Sequence, residues 1–462
     1  MNNTILAIDI GSTKICAIVA EISHSNKVTI IGHGISKSQG IKKGAITNIE
    51  LASRSIQLAI NDAKRIAGSN LTSATVSISN AYAKSLNATG ILNIPHRDIT
   101  IKEINRVMQT ALYNANVPNE YEVIHVLPYN FRVDDQDFIE DPFGMDAARL
   151  EVDANIIITQ KSNLANLKKA VMSAGVEIEG IVLSGYASSL AAVKEDQRDL
   201  DLAVIDLGGQ TSNLVIRTRN SIRYNDFLGV GSNHITNDIS LALHTPLRVA
   251  EEVKIKYGNL VEVSDEVIEL PIMGDEENSN QVSLKVIHDV MFARVEEALL
   301  ILAKSIEKSA LEKSMSSSLI LTGGMSKLKG IRELAEAIFP HSSVWISHPD
   351  YIDGLVEELK DPAYSTVVGL VLYKAGKHTA YEIDFQKNLL HSKPYYEENL
   401  SNIKIENTVN SIENSVDEQP TNITQPTREE KKETISFDDL PSLDPENKGI
   451  FKKLANWSKQ LF

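Results

Sequence analysis

Hydrophobic and polar positions fall into two textures along this chain. Some apolar runs are short and stop at glycine; other stretches place apolar residues three and four apart. Residues 202–216, LAVIDLGGQTSNLVI, show the first texture most clearly. Ala203, Val204, Ile205 and Leu207 form a run broken by one acid and ended by Gly-Gly, and Leu214, Val215 and Ile216 begin another. That pattern predicts a buried hairpin with a tight turn. Residues 5–19, ILAIDIGSTKICAIV, repeat it: an apolar strand, Asp9, a turn of Gly11, Ser12 and Thr13, Lys14, then a returning strand.

Between and after these hairpins the helical texture dominates. Ala52, Ile56, Ala59, Ile60 and Ala63 predict a helix over 49–66, with Gly68 as its stop. Residues 27–36 and 76–79 read as strands. From 84 to 159 the chain reads as a separate α+β unit. There Thr100 and Glu103 have capping-box spacing ahead of a face made by Ile104, Val107, Met108, Ala111 and Leu112. Two strand-like stretches, 123–133 and 150–158, flank a turn at 141–144. Helices are predicted at 163–174, from 187, at 235–243, at 247–257 and over 290–311, with a strand at 180–184 and a polar, irregular stretch at 261–282. A third glycine turn follows: strand 318–322, Gly323 and Gly324, then a helix over 328–339. The ordered part is expected to end near Tyr381.

Composition narrows the class. The chain has 462 residues, enough for two or more domains with cores of their own. A net charge of −15 argues against nucleic acid as a partner. The single cysteine, Cys16, rules out an internal disulfide framework and points to a reducing compartment, with Cys16 as a small core residue. The first residues carry no basic leader pattern, and no apolar run reaches the roughly 20 residues of a membrane span. A cytoplasmic location is expected.

The glycine turns suggest the chemistry. Without Cβ atoms, backbone N–H groups approach an anion closely. Asp206 and Asp9 each enter such a turn, and a buried carboxylate beside phosphates calls for magnesium between them, often through water. One Asp-x-Gly turn is commonly structural; two in separate halves suggest a duplicated phosphate clamp. At the third turn, strand, Gly-Gly and helix can bring backbone against a nucleotide. Ser326 and Lys327 do not supply the third glycine of a dinucleotide fingerprint. Glu251 and Lys254 lie three apart on one helix, which on spacing alone is a solvated surface pair.

The tail has its own texture. Residues 397–447 are rich in Glu, Asp, Asn, Ser and Thr and poor in large apolar residues, the composition of an acidic disordered linker. The last residues, GIFKKLANWSKQLF, differ. On a helix, Ile450, Phe451, Leu454, Trp457, Leu461 and Phe462 share one face, and Lys452, Lys453, Asn456, Lys459 and Gln460 the other. Such a helix can lie in an anionic membrane interface. It could also dock on its own protein or a partner, although the long acidic tether behaves as a spacer.

DIGSTK at 9–14, DLGGQTSN at 206–213 and LTGGMSKLKG at 321–330 resemble the phosphate-1, phosphate-2 and adenosine motifs of the actin, Hsp70 and sugar-kinase superfamily. GIVLSGYASSLAAV at 180–193, AEEVKIKYG at 250–258 and YSTVVGLVLY at 364–373 resemble the FtsA family of bacterial cell-division proteins. The resemblance implies an α/β, actin-like, two-lobed ATPase fold closing on ATP and Mg2+. The implied division is subdomain 1A at 1–83 and 163–203, inserted subdomain 1C at 84–162, and 2A at 204–225 and 307–363. Subdomain 2B would occupy 226–306, a return to 1A 364–384, the linker 385–447 and the amphipathic helix 448–462. Asp9 and Asp206 would hold the magnesium shell. Gly11, Ser12, Thr13, Lys14, Gly208, Gly209 and Thr211 would contact phosphates, and Glu251, Lys254, Gly323, Gly324 and Lys327 would enclose the adenosine.

The resemblance further implies a protein that polymerises and sits peripherally on the cytoplasmic side of the cell membrane at the division septum. It would tether the tubulin-like FtsZ through subdomain 2B, with the long helix bearing Arg294 as a candidate surface. Subdomain 1C would meet neighbouring copies and later division proteins. Two departures bear on catalysis: Gln210 and Asn213 stand where related chaperones have a third glycine and a second acid, and Ser184 stands where they have a catalytic glutamate. Slow hydrolysis is therefore expected. A pilus-assembly ATPase of the same fold, which would not need the terminal helix, and a sugar kinase, for which no sugar-site motif is found, are the alternatives.

Overall fold

The computed structural model describes residues 3–24, 26–311 and 318–391. The sequence expectations for the terminal helix and for the linker beyond 391 lie outside the described residues.

Two five-stranded sheets share one plan. In the first, strands run in the order Glu177–Leu183, Ser73–Ile78, Asn3–Ile10, Lys14–Ile22 and Val28–Lys37. In the second the order is Ser343–Ile346, Ser318–Thr322, Leu202–Leu207, Ser212–Thr218 and Ser221–Leu228. Each begins with two parallel pairings and ends in an antiparallel meander. The matching plan explains why the two Asp-bearing hairpins read alike: each is the central antiparallel turn of its own sheet. Strands Leu202–Leu207 and Ser212–Thr218 are buried along their whole length, which accounts for runs without polar alternation.

The first sheet packs against helix Ile49–Ala67, capped by Asn48 and stopped by Gly68 in the left-handed region. The second packs against Ser232–Leu243, Leu247–Tyr257 and the long helix Leu284–Lys308. Between the lobes run two helices, Ser184–Ala192, buried from Gly185 onward, and Ser365–Leu372, buried throughout. They approach so closely that a Cβ on Gly369 would stand 1.7 Å from the Ala187 carbonyl oxygen. Only glycine fits that crossing.

A third core belongs to an antiparallel sheet in the order Ala83–Asn93, Arg149–Gln160, Tyr121–Val133 and Gln136–Ile139. Helix Ile101–Asn114 covers one face, begun by the capping box of Thr100 and Glu103.

Three expectations differ from what is observed. Residues 261–282 are not irregular throughout, since Val267–Ile272 and Asp275–Ser283 pair as a two-stranded ribbon. The helix after the third glycine turn starts late. Gly324–Lys327 is a 3-10 turn, and Gly330 at φ +84° precedes helix Ile331–Ile338. Ordered chain also continues past Tyr381: Ile383 exchanges both backbone hydrogen bonds with Val126, at 2.9 and 3.0 Å, and Leu390 N–H donates to the Glu382 carbonyl at 2.8 Å. Cys16 is buried, as read.

Candidate functional site

Asp9 and Asp206 stand at corresponding ends of the two central hairpins, paired in register with Cys16 and Asn213. Between them opens a cleft of about 600 Å³. Every residue assigned above to phosphate, adenosine or metal lines it, as do Ser184 and Asn213.

The tips of the two turns touch. A Cβ on Gly209 would lie 2.1 Å from Thr13 Cγ2, so the second turn reaches the first only because position 209 has no side chain. The third glycine turn is equally close to the carboxylates. Gly323 sits at φ +86°, and a Cβ there would fall 2.4 Å from Asp206 Oδ1.

Both carboxylates are nearly inaccessible, each 9% exposed. The Ser77 hydroxyl donates to Asp9 Oδ1 at 2.9 Å and accepts the Ile10 N–H at 2.9 Å. Burial raises the Asp9 carboxyl above its ordinary value, against the pull of Lys14 and the Ser77 bond. Asp206 is pushed up to about 6, first by burial and then by the charge of Asp9. Two buried acids, both raised by burial and one also by the charge of the other, form a site that favours a cation. Among the described residues no group of three or more His, Cys, Asp or Glu side chains converges. The donor set therefore fits a hydrated divalent ion that takes its remaining oxygens from phosphate and water, as magnesium does. The Asn213 Oδ1 atom, buried and without a hydrogen-bond partner, adds a further oxygen at the cleft wall.

Lys14 reaches from the first turn to the Ala363 carbonyl and lies over the Tyr364 ring, 4.4 Å from its centroid. At the other end of the cleft, Lys254 is buried rather than solvated. Its ammonium donates to Glu251 Oε2 at 2.7 Å, Thr236 Oγ1 at 2.9 Å and the Ser232 carbonyl at 3.3 Å. The surface-pair reading of Glu251 and Lys254 is thus replaced by a fixed wall of the cleft. Lys327 turns to Asp361, with Nζ 2.5 Å from Oδ2, and remains half exposed.

Sequence reasoning missed the residues that hold these groups: Ser77, Thr236, Ala363, and Thr366, whose hydroxyl donates to Asp206 Oδ2 at 3.4 Å. Each comes from a distant segment, and only Ser77 lay in a stretch already read as a strand.

The fold and the two-turn cleft define an actin-like ATPase fold. A solved PilM-PilN type IV pilus biogenesis complex contains a chain of this fold, 17% identical, covering 80% of this chain and 98% of that one with a TM-score of 0.57. The chain belongs to the FtsA family of cell-division proteins. It is 43% identical to the cell division protein FtsA of Helicobacter pylori over 412 residues, 82% of this chain and 83% of the relative. It is 33% identical to FtsA of Pseudomonas aeruginosa over 81% of this chain and 90% of the relative. The family model for cell division protein FtsA matches residues 203–369, and that for the SHS2 domain inserted in FtsA matches 80–158. Membership in this family favours a division protein over the pilus-assembly and sugar-kinase alternatives.

Proposed function

We propose that this chain is an ATP-binding division protein that assembles into filaments on the cytoplasmic face of the cell membrane at the septum and ties FtsZ filaments to it. The observation that carries the nucleotide reading is the meeting of two carboxylate-bearing turns, one per lobe, in a single cleft. Bound there, magnesium would neutralise phosphate charge while Asp9 and Asp206 hold its water shell. Backbone N–H groups at 11–14 and 208–211 orient the phosphates, and Lys254 and Glu251 fix the adenosine side. The Ser184 hydroxyl donates to the Ile78 carbonyl at 3.0 Å and supplies no base, which supports slow turnover. Nucleotide then acts as an assembly signal.

For FtsZ, the long helix Leu284–Lys308 presents exposed Leu300 and Ile301. Arg294 on the same helix is clasped by Asp238 at 2.5 and 3.1 Å and by Glu297 at 2.6 Å, so it braces the surface from within the lobe. Among the described residues no helix is long and apolar enough to cross a membrane. Membrane attachment is assigned to the amphipathic pattern of 448–462, strengthened by the many copies a filament presents.

The test is co-sedimentation with anionic vesicles, with and without Mg-ATP, comparing the full chain with one ending at Lys448. The full chain should pellet, more so with Mg-ATP, and the shortened chain should stay in solution. If both stay in solution, the membrane assignment fails.

A further inference from the structure

The first lobe sends one short loop across the mouth of the cleft. After strand Val28–Lys37, the two-residue strands Ile41–Lys42 and Ala45–Ile46 pair antiparallel and leave Lys43 and Gly44 at the tip. Ile41 anchors the loop in the first core. Lys43 at φ +46° and Gly44 at φ +78° are the left-handed pair that a two-residue hairpin turn requires.

Two hydrogen bonds fix the tip of the loop. The Gly44 N–H donates to Ser12 Oγ at 2.9 Å, within the same lobe. The Lys43 N–H donates to Gln210 Oε1 at 2.9 Å, on the turn of the opposite lobe. Adjacent amides of one loop are therefore bound to the two turns that would flank the phosphates. If the lobes part, the Ser12 bond travels with its own lobe; the Gln210 bond must break. Being solvent-exposed, it exchanges readily for water, which suits a fastening that opens and recloses.

We propose that Gln210 is a positioning residue: its side-chain carbonyl fastens the 40–46 loop across the two turns and so sets how fast nucleotide leaves the cleft. The proposal rests on the nucleotide reading above. Gln210→Met keeps length and shape but has no acceptor for the Lys43 amide. Gln210→Glu restores an acceptor oxygen at the same reach.

The experiment follows release of a fluorescent N-methylanthraniloyl ATP with magnesium from the full chain, by stopped-flow chase with unlabelled ATP. Losing one exposed hydrogen bond should speed release about threefold to tenfold in Gln210→Met while leaving association within about twofold. Gln210→Glu should return release toward the parent rate, a rescue that a bulk-filling role for the side chain would not require. Unchanged release in Gln210→Met, or release from Gln210→Glu as fast as from Gln210→Met, overturns the proposal. If the parent binds no nucleotide, the nucleotide reading fails on its own. Hydrogen exchange at the Lys43 amide then decides whether the latch exists: faster exchange in Gln210→Met is expected, and equal exchange overturns it.

Discussion

Thr13 and Gly209 meet across the cleft at a distance that leaves no room for a methyl group between them. A Cβ at 209 would fall 2.1 Å from Thr13 Cγ2 and 2.8 Å from its Oγ1. Gly209→Ala must therefore push the turns apart, an overpacking of about 1–3 kcal/mol. Affinity for Mg-ATP, measured by titration with a fluorescent analogue, should fall about tenfold or more, since each 1.4 kcal/mol is a factor of ten. Adding Thr13→Ser, which removes the offending methyl, should recover part of the loss; no recovery would mean that contact is not the cause.

Asp206 should cost stability when the cleft holds no cation. Its carboxyl is raised from 3.8 to about 6, so the folded state holds the proton more tightly than the unfolded chain. The resulting stabilisation is complete below the unfolded value and is lost as pH rises through about 6, roughly 3 kcal/mol at 1.36 kcal/mol per unit. In thermal denaturation without nucleotide or magnesium, Asp206→Asn should be more stable than the parent at pH 7 and lose that advantage near pH 4. The same variant should bind Mg-ATP more weakly. A parent curve that stays level between pH 4 and 7 relative to the variant would contradict this.

Glu382 makes the opposite prediction. It is fully buried, and it accepts hydrogen bonds from the Tyr186 hydroxyl at 2.8 Å and the Tyr373 hydroxyl at 2.6 Å, with His125 Nδ1 at 2.9 Å. Burial alone would raise its carboxyl. Hydrogen bonds, first from His125 and then from Tyr373, outweigh burial and hold it below its ordinary 4.5. Its contribution is present above that value and disappears as pH falls through the lower, folded one. Glu382→Ala leaves the buried Tyr373 hydroxyl and His125 Nδ1 without their acceptor and should cost about 3–5 kcal/mol in urea denaturation at pH 7. Against Glu382→Gln, the parent's advantage should shrink as the solution is acidified below pH 4.5.

Gly369→Ala tests the crossing of the two central helices. A methyl group aimed at the Ala187 carbonyl oxygen forces the helices apart or bends one, at a cost of about 1–3 kcal/mol. A lowered melting temperature with or without nucleotide is expected; an unchanged one would show that the crossing can yield.

Much of this was legible because the hairpins are buried on both faces. Residues 202–207, broken only by Asp206, and 214–216 read as apolar runs, and burial is what removes alternation. The capping box at Thr100 and the stop at Gly68 were legible because caps act within a few residues of themselves. The ribbon over 267–283 was not: of its described residues only Ile268, Leu270 and Val282 reach the second core, and the polar second strand 275–283 carries too few apolar residues to show alternation. Gly330 reads as part of a helix until its left-handed φ delays the start to Ile331. Glu382 could not be recognised as interior because its partners stand at 125, 186 and 373, and Thr236 is meaningful only beside Lys254.

The pairing of Ile383 with Val126 decides where a mechanical load enters the protein. The residues after 391, where the sequence leads us to expect the acidic linker and terminal helix, follow a segment that is stitched to strand Tyr121–Val133 by two backbone hydrogen bonds and, through Glu382, to His125, Tyr186 and Tyr373. Tension applied from the carboxyl-terminal side meets this seam, which is joined at once to the inserted sheet through Val126 and His125 and to the first lobe through Tyr186 and Tyr373. Load from that side is therefore divided between the inserted sheet and the first lobe, with Glu382 as the rivet common to both.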